Sequence, residues 1–389
     1  MHNRKAHLDF ARGIAALAVC ACHLRAFQFI TFSQVQEPSV LNRLFYLATG
    51  YGRQAVMVFF VLSGYLIAGS VADSLGNGRW TWSGYALRRL TRLWLVLIPA
   101  LLLTVVWDGL GGYFSGGRGY DGQFANILHS GPTVMQPLAG GLLVFGGNVA
   151  FLQTIACPAF GTNSPLWSLA NEFWYYVLFP LGCLALHPGR TRPIRLVCAV
   201  LCALVGLALP TGLLIGFGVW LLGYGVHVLM QLSSCVRMLA SRLAFSAFVV
   251  LFLGSLVGVR SQATAGGDFM VGLAFAGMLP FLICHVPAAR WYRRVSMALS
   301  EFSYTLYVVH FPFLAFLFFS FRLPQKSPPS FASYLCFFGL LDLTMAYAAC
   351  IWWLFEKRTD VVRNWIGSRF SGWGWKGRLA QPKAGIPGS

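Results

Sequence analysis

Apolar runs of about 20 residues, the length that crosses a bilayer as a helix, recur along the whole chain. Interrupted by Gly, Pro and charged clusters, they predict spans at 8–29, 54–73, 92–112, 167–187, 193–210, 211–231, 244–260, 268–286, 299–321 and 333–355. A further apolar stretch, 138–155, is short, carries Gly140, Gly141, Gly146 and Gly147, and lacks a long Leu/Ile/Val core. The pattern predicts an all-α fold, a polytopic transmembrane helical bundle of about 10 spans. Segment 113–166 then forms one long region on a single side of the membrane.

Charge decides how 138–155 is counted. With the N-terminus in the cytoplasm and this stretch left out, 22 of the 29 Lys and Arg fall on the cytoplasmic side. Counting it as a span would carry Arg190, Arg192 and Arg195 outside and invert every later loop. The positive-inside rule therefore favours ten spans with both termini cytoplasmic. Composition agrees: 57% of the residues are hydrophobic and 10% charged, where soluble proteins carry about 25% charge. The net charge of +18 then belongs to cytoplasmic loops facing a lipid bilayer, with no nucleic-acid partner implied. The ten cysteines form no C-x-x-C pair and mostly lie in apolar runs, which suits neither a disulfide framework nor a metal site. Arg12 interrupts the first apolar run and no clear small-residue cleavage site follows, so this segment is expected to be retained. Residues 1–360 read as one membrane domain and 361–389 as a basic cytoplasmic tail of low order.

Several polar groups sit inside these apolar runs, where ionisable side chains are costly and are functional candidates by default. Arg12 and His23 share the first span. Eleven residues of helix come within about 20° of three full turns, so both face one side, about 16 Å apart along the axis. A snorkelling arginine and a hydrogen-bonded structural histidine would fit the same pattern. Arg88, Arg89 and Arg92, in RRLTRLW, fall at the cytoplasmic mouth of the third span. On charge alone they read as a topogenic cluster, and Arg is also the preferred clamp for phosphate. In PLWSLANEFWYY, Glu172 lies in the outer half of the fourth span, at a depth similar to His23, where a carboxylate can orient an imidazole. Ser63, Gly64 and Tyr65 fall mid-membrane, with Gly64 suited to close helix approach. Tyr304, Tyr307 and His310 recur at spacing three, hence on nearly one face, a polar seam beside Pro312.

Taken in order, LDFARGIAALAVCACH (8–23), FFVLSGYLI (59–67), RRLTRLW (88–94), SPLWSLANEFWYYVLFP (164–180), FSYTLYVVHFP (302–312) and FEKR (355–358) resemble the integral-membrane acyltransferase family, acyltransferase type 3. The likeness covers about 350 residues and is to a stand-alone, O-acetyltransferase-like member. Two departures are mild: Phe10-Ala11 stands where Gly-Leu is common, and Asn171 where an acidic residue often precedes Glu172. The resemblance implies transfer of an acyl group, usually acetyl, from cytoplasmic acyl-CoA to a hydroxyl of a glycan or other acceptor. It implies acyl-CoA, acetyl-CoA above all, as a donor substrate rather than a tightly bound cofactor. A multi-pass protein of the bacterial cytoplasmic (inner) membrane is implied as well. His23 is carried over as the catalytic histidine and Arg12 as its companion.

On this reading CoA phosphates dock on Arg12, Arg88, Arg89 and Arg92, and the thioester reaches His23 along the first span. Glu172 orients the imidazole, and the acceptor enters beneath 113–166. His23 acts as general base or through an acyl-imidazole; both stay open. Ser168, Tyr65 and Trp167 are candidate oxyanion donors, and Tyr304 and His310 candidate substrate contacts. A transporter or flippase of a lipid-linked glycan shares the many spans and buried charges, though no internal repeat of the transporter kind is visible.

Overall fold

The computed structural model describes residues 2–122, 131, 138–259, 264–285, 289–321 and 326–369. Its helices begin with α1 (His2–Gln28), α2 (Val40–Ala48) and α3 (Gly52–Ser63), which runs through a π-helical turn (Gly64–Ala68) into α4 (Gly69–Gly76). Then come α5 (Trp82–Ser115), α6 (Leu142–Val149), α7 (Trp167–Leu186), α8 (Arg192–Ala208), α9 (Thr211–Leu229) and α10 (Ser233–Leu239). The chain continues with α11 (Arg242–Val259), α12 (Ala265–His285), α13 (Arg290–Glu301), α14 (Ser303–Phe321), α15 (Phe331–Leu354) and α16 (Thr359–Arg369). Nine helical stretches among the described residues are long and apolar enough to cross a membrane. The protein is a polytopic helical bundle. The eight-residue α6 is about 12 Å long, too short to span, so the glycine-rich stretch 138–155 does not cross.

α8, at 17 residues, is about 25 Å long, and its neighbours require it to cross. Tyr175 of α7 donates to the Leu213 carbonyl at the start of α9 (2.9 Å). One turn further along α7, Phe179 meets Trp220 and Tyr224. α7 and α9 therefore run the same way, and α8 must carry the chain back between them. Its antiparallel packing on α7 is visible in Arg195 donating to the Ala185 carbonyl and Cys202 to that of Leu178. This makes ten crossings.

Two sets of parallel helices result. α1, α5 and α14 point one way: Arg12 and His23 of α1 meet Ser300 and His310 in that order, and Leu93 and Trp107 of α5 meet Tyr304 and Phe313. α3, α7, α9 and α12 point the other way, tied by Ser63 to Glu172 and Trp220 and by Arg53 to Asp268. α14 is the most enclosed, with 72% of its apolar window buried, whereas α11, at 6%, lies at the periphery. Gly64 and Gly223 let α3 and α9 touch backbone to backbone. A Cβ on Gly64 would lie 1.8 Å from the Trp220 carbonyl oxygen, and one on Gly223 2.0 Å from that of Val61. The packing role expected of Gly64 is thus met.

Three boundaries differ from the apolar pattern. α5 begins at Trp82 rather than 92, so Arg88, Arg89 and Arg92 stand on the helix wall and not at its mouth. Arginines on a cavity-facing wall lower the local hydropathy without ending the helix. The basic segment before α14 is a strongly amphipathic helix, α13, lying along α1. α16 crosses position 360, where the sequence places the start of the tail, and packs on α5. Residues 370–389 of that expected tail lie outside the described residues.

Candidate active site

A cavity opens between α1, α3, α5, α7 and α14, enclosing about 890 Å³ of space, part of it open to solvent. Arg12, Arg89 and Arg92 line it together with Glu172 and Tyr304, and it reaches Ser168 and Tyr307. Arg12 is braced on both sides. Its guanidinium donates to Asp9 at 3.3 Å and to the Ser300 hydroxyl, and that hydroxyl donates in turn to Asp9 at 3.0 Å. Arg89 lies over the rings of Tyr85 and Tyr176. Neither Arg89 nor Arg92 is hydrogen-bonded or ion-paired within the described residues. Guanidinium forks held this way suit phosphate oxygens. Glu356 adds a carboxylate nearby: it accepts from Thr305 at 2.5 Å, and its charge acts on Arg92 and Arg12.

Arg88 does not line this cavity. Consecutive helical residues point about 100° apart, and Arg88 is turned so that the charges acting on it are those of Arg89 and of Arg363 on α16. The four-arginine set expected from sequence therefore splits into three cavity residues and one outside.

Glu172 is also not where the depth argument put it. Its carboxylate accepts from Ser63 at 2.7 Å and from the Tyr176 hydroxyl, and it lines the cavity with the arginines. Among the described residues, the ring bonded to His23 is that of His310: Nδ1 of His23 and Nε2 of His310 are 2.9 Å apart, and the near-parallel rings meet edge to edge with centroids 5.1 Å apart. Glu172 thus lies at the arginine end, and the described side chain that bonds the His23 ring is His310. The reason is azimuth: α7 presents Glu172 to α3, while α1 packs on α14.

The histidine end is aromatic and close-packed. Phe311 stands edge-on to His23 at 5.1 Å, and Phe27 packs against Phe311. His310 is fully buried, and His23 is partly exposed. Above this pair, Asn163 donates to the Val308 carbonyl at 2.9 Å, and Asp108 holds the same loop through the Thr162 amide and hydroxyl. His23 does not line the arginine cavity, which ends at Tyr307, one turn before His310. The Phe59 and Tyr307 rings stand 5.9 Å apart at that end.

The three expected oxyanion donors are engaged or turned elsewhere. Tyr307 donates to the Pro165 carbonyl (2.9 Å), so in the 2.6 Å contact between Ser168 and Tyr307 the serine is the donor. Tyr65, on the π turn, packs against His227. Trp167 meets Phe60 edge-on and lines a separate cavity with Arg53 and Asp268. Tyr304 does line the arginine cavity, its hydroxyl donating to the Leu93 carbonyl at 3.2 Å. Asp9, Ser300, Tyr176 and Glu356 were not singled out as site residues from sequence. Asp9 stands one turn before Arg12 and was legible as its partner; Glu356 lies in the FEKR motif, but nothing local ties it or Ser300 to Arg12. Within 113–166, residues 123–130 and 132–137 lie outside the described residues.

Residues 5–348 match the family model described as an acyltransferase domain. The chain belongs to this family. It is also similar to the acyltransferase MdmB of Streptomyces mycarofaciens, with 32% identity over 172 residues, 44% of this chain and 37% of that protein. The match therefore spans little more than a third of that relative. No solved structure matches the chain.

Proposed function

We propose that this protein moves an acyl group, acetyl in the first instance, from acyl-CoA on the cytoplasmic side to a hydroxyl of a surface or secreted glycan, in a bacterial inner membrane. The observation that carries this reading is the cavity in which Arg12, Arg89 and Arg92 converge and which ends one turn from His310 and its partner His23. Three guanidiniums facing one space favour a polyanionic ligand such as the phosphates of CoA. Arg12 and His23 are about 16 Å apart along α1, a span that the pantetheine arm would follow towards the histidines.

In the transfer, the acceptor hydroxyl gives its proton to His23 as its oxygen attacks the thioester carbonyl. The tetrahedral intermediate collapses by breaking the C–S bond. The CoA thiolate leaves and takes the proton from the imidazolium, so the products are the O-acyl glycan and CoA thiol. Glu172, fixed by Ser63 and Tyr176, faces the arginines across the cavity and sets its charge balance. The test is purified protein in lipid nanodiscs, supplied with labelled acetyl-CoA and bacterial surface glycans. Label is expected to pass to glycan with the wild type and to fall by about 10²–10⁴-fold with His23→Ala. Glycan translocation without any acylation would contradict the proposal.

A further inference from the structure

His310 makes two ring contacts that together determine the chemistry of His23. Its Nδ1 lies 2.9 Å from the Leu306 carbonyl oxygen, one turn back on α14. A carbonyl can only accept, so this nitrogen carries the proton. The ring is fully buried and, within the described residues, has no carboxylate among its hydrogen-bond partners. An unpaired charge there would be costly, so the ring is neutral. A neutral imidazole with its proton on Nδ1 has its lone pair on Nε2. That atom is 2.9 Å from Nδ1 of His23, so the bond between the rings has one consistent direction: His23 Nδ1–H donates to His310 Nε2.

We infer that His310 holds His23 in the Nδ1–H tautomer and thereby makes Nε2 of His23 the proton-accepting atom. The backbone of α14 sets the tautomer of His310, and His310 sets that of His23. A neutral acceptor replaces the carboxylate that more often orients a catalytic imidazole. The hydrogen bond between rings only 14° apart in plane and the edge contact of Phe311 fix the ring's rotation as well as its proton. His310 is on this account a positioning residue. It acts through His23, and its expected role as a direct substrate contact is replaced.

The consequence for turnover rests on the acyl-transfer reading; the tautomer itself does not. When the acceptor proton moves to Nε2 during attack, His23 becomes an imidazolium, and its Nδ1–H bond to His310 strengthens as that charge develops. The proton on Nε2 then passes to the departing thiolate, and the pair returns to its starting tautomers.

Two variants separate the positioning role from folding. His310→Leu fills the volume without an acceptor. His310→Gln offers a side-chain carbonyl close to where Nε2 lies. With monodisperse protein in each case, His310→Leu is expected to lower kcat by about 10²-fold or more. KM for acetyl-CoA should change by less than about threefold, and His310→Gln should recover most of the lost kcat. Nitrogen-15 NMR of histidine-labelled protein in nanodiscs, with His23 assigned from the spectrum of His23→Gln, reads the tautomer directly. The expected result is a proton on Nδ1 of His23 in the wild type and its relocation to Nε2 in His310→Leu. A wild-type His23 protonated on Nε2, or a His310→Leu variant with unchanged kcat, would overturn the inference. A wild type with the expected tautomer but no acyl transfer would leave the inference standing and overturn the proposed function instead.

Discussion

The two ends of the Arg12–His23 face of α1 are built on opposite principles. At the Arg12 end, guanidiniums and Glu172 gather around open space, and Arg12 is held by Asp9 and Ser300. At the His23 end, two hydrogen-bonded imidazoles sit in an aromatic enclosure beneath a loop clamped by Asp108. Charge in a membrane interior is tolerated where a water-accessible cavity keeps it solvated. Proton transfer at near-neutral pH is better served by an imidazole whose neutral form is fixed by another neutral group. The comparison teaches that one helix face can carry a binding end and a reacting end, provided that their surroundings differ this strongly.

At the binding end, the largest effect that could break this division is loss of Arg12. Arg12→Gln removes a cavity charge and unsettles Asp9 and Ser300 at once, and is expected to weaken acyl-CoA binding by more than about tenfold. A charged hydrogen bond contributes about 1.5–3 kcal/mol, and isothermal titration with CoA reads the change. Arg89→Gln and Arg92→Gln should each raise KM for acetyl-CoA by about tenfold while leaving kcat within about threefold; initial-rate kinetics against donor concentration checks this. Arg88→Gln sharpens the comparison because Arg88 is adjacent in sequence yet lies outside the cavity. Its KM should shift by less than about threefold, and an effect equal to that of Arg89→Gln would show that the two share one site.

The smallest effect concerns stability at the end of α1 beyond His23. Lys326 donates to the Ala26 carbonyl at 2.6 Å, and burial, with Arg25 adding to it, lowers its pKa from 10.5 to about 8. A lysine whose folded-state pKa is depressed opposes folding fully below about pH 8, and the penalty fades as pH rises to 10.5. Stability from this group therefore rises with pH across that window. Lys326→Met should flatten the rise in melting temperature between those pH values, relative to the wild type.

Much of the fold was legible in the apolar pattern because each span must bury a continuous run. Charge asymmetry also resolved 138–155 correctly, since α6 is too short to cross. Helix starts were less legible where a polar wall faces a cavity, as with Arg89 and Arg92 on α5. In the site, the shared face of Arg12 and His23 follows from helical period alone. Depth along a helix was no guide to partnership: Glu172 and His23 were matched in depth but belong to helices with different neighbours. Tyr304, Tyr307 and His310 stood out as a seam, yet the pairing of His310 with His23 depends on packing between residues 287 apart. No local period records that.

The central claim is that the arginine end binds the donor and the histidine end performs the transfer. The most direct measurement compares His23→Ala and Arg89→Gln in one preparation, reading kcat and donor affinity for each. The account predicts that His23→Ala loses about 10²–10⁴-fold in kcat with CoA affinity unchanged, and that Arg89→Gln loses affinity with kcat preserved. A His23→Ala variant that retains full kcat, or one that loses donor affinity to the same extent as Arg89→Gln, would contradict it.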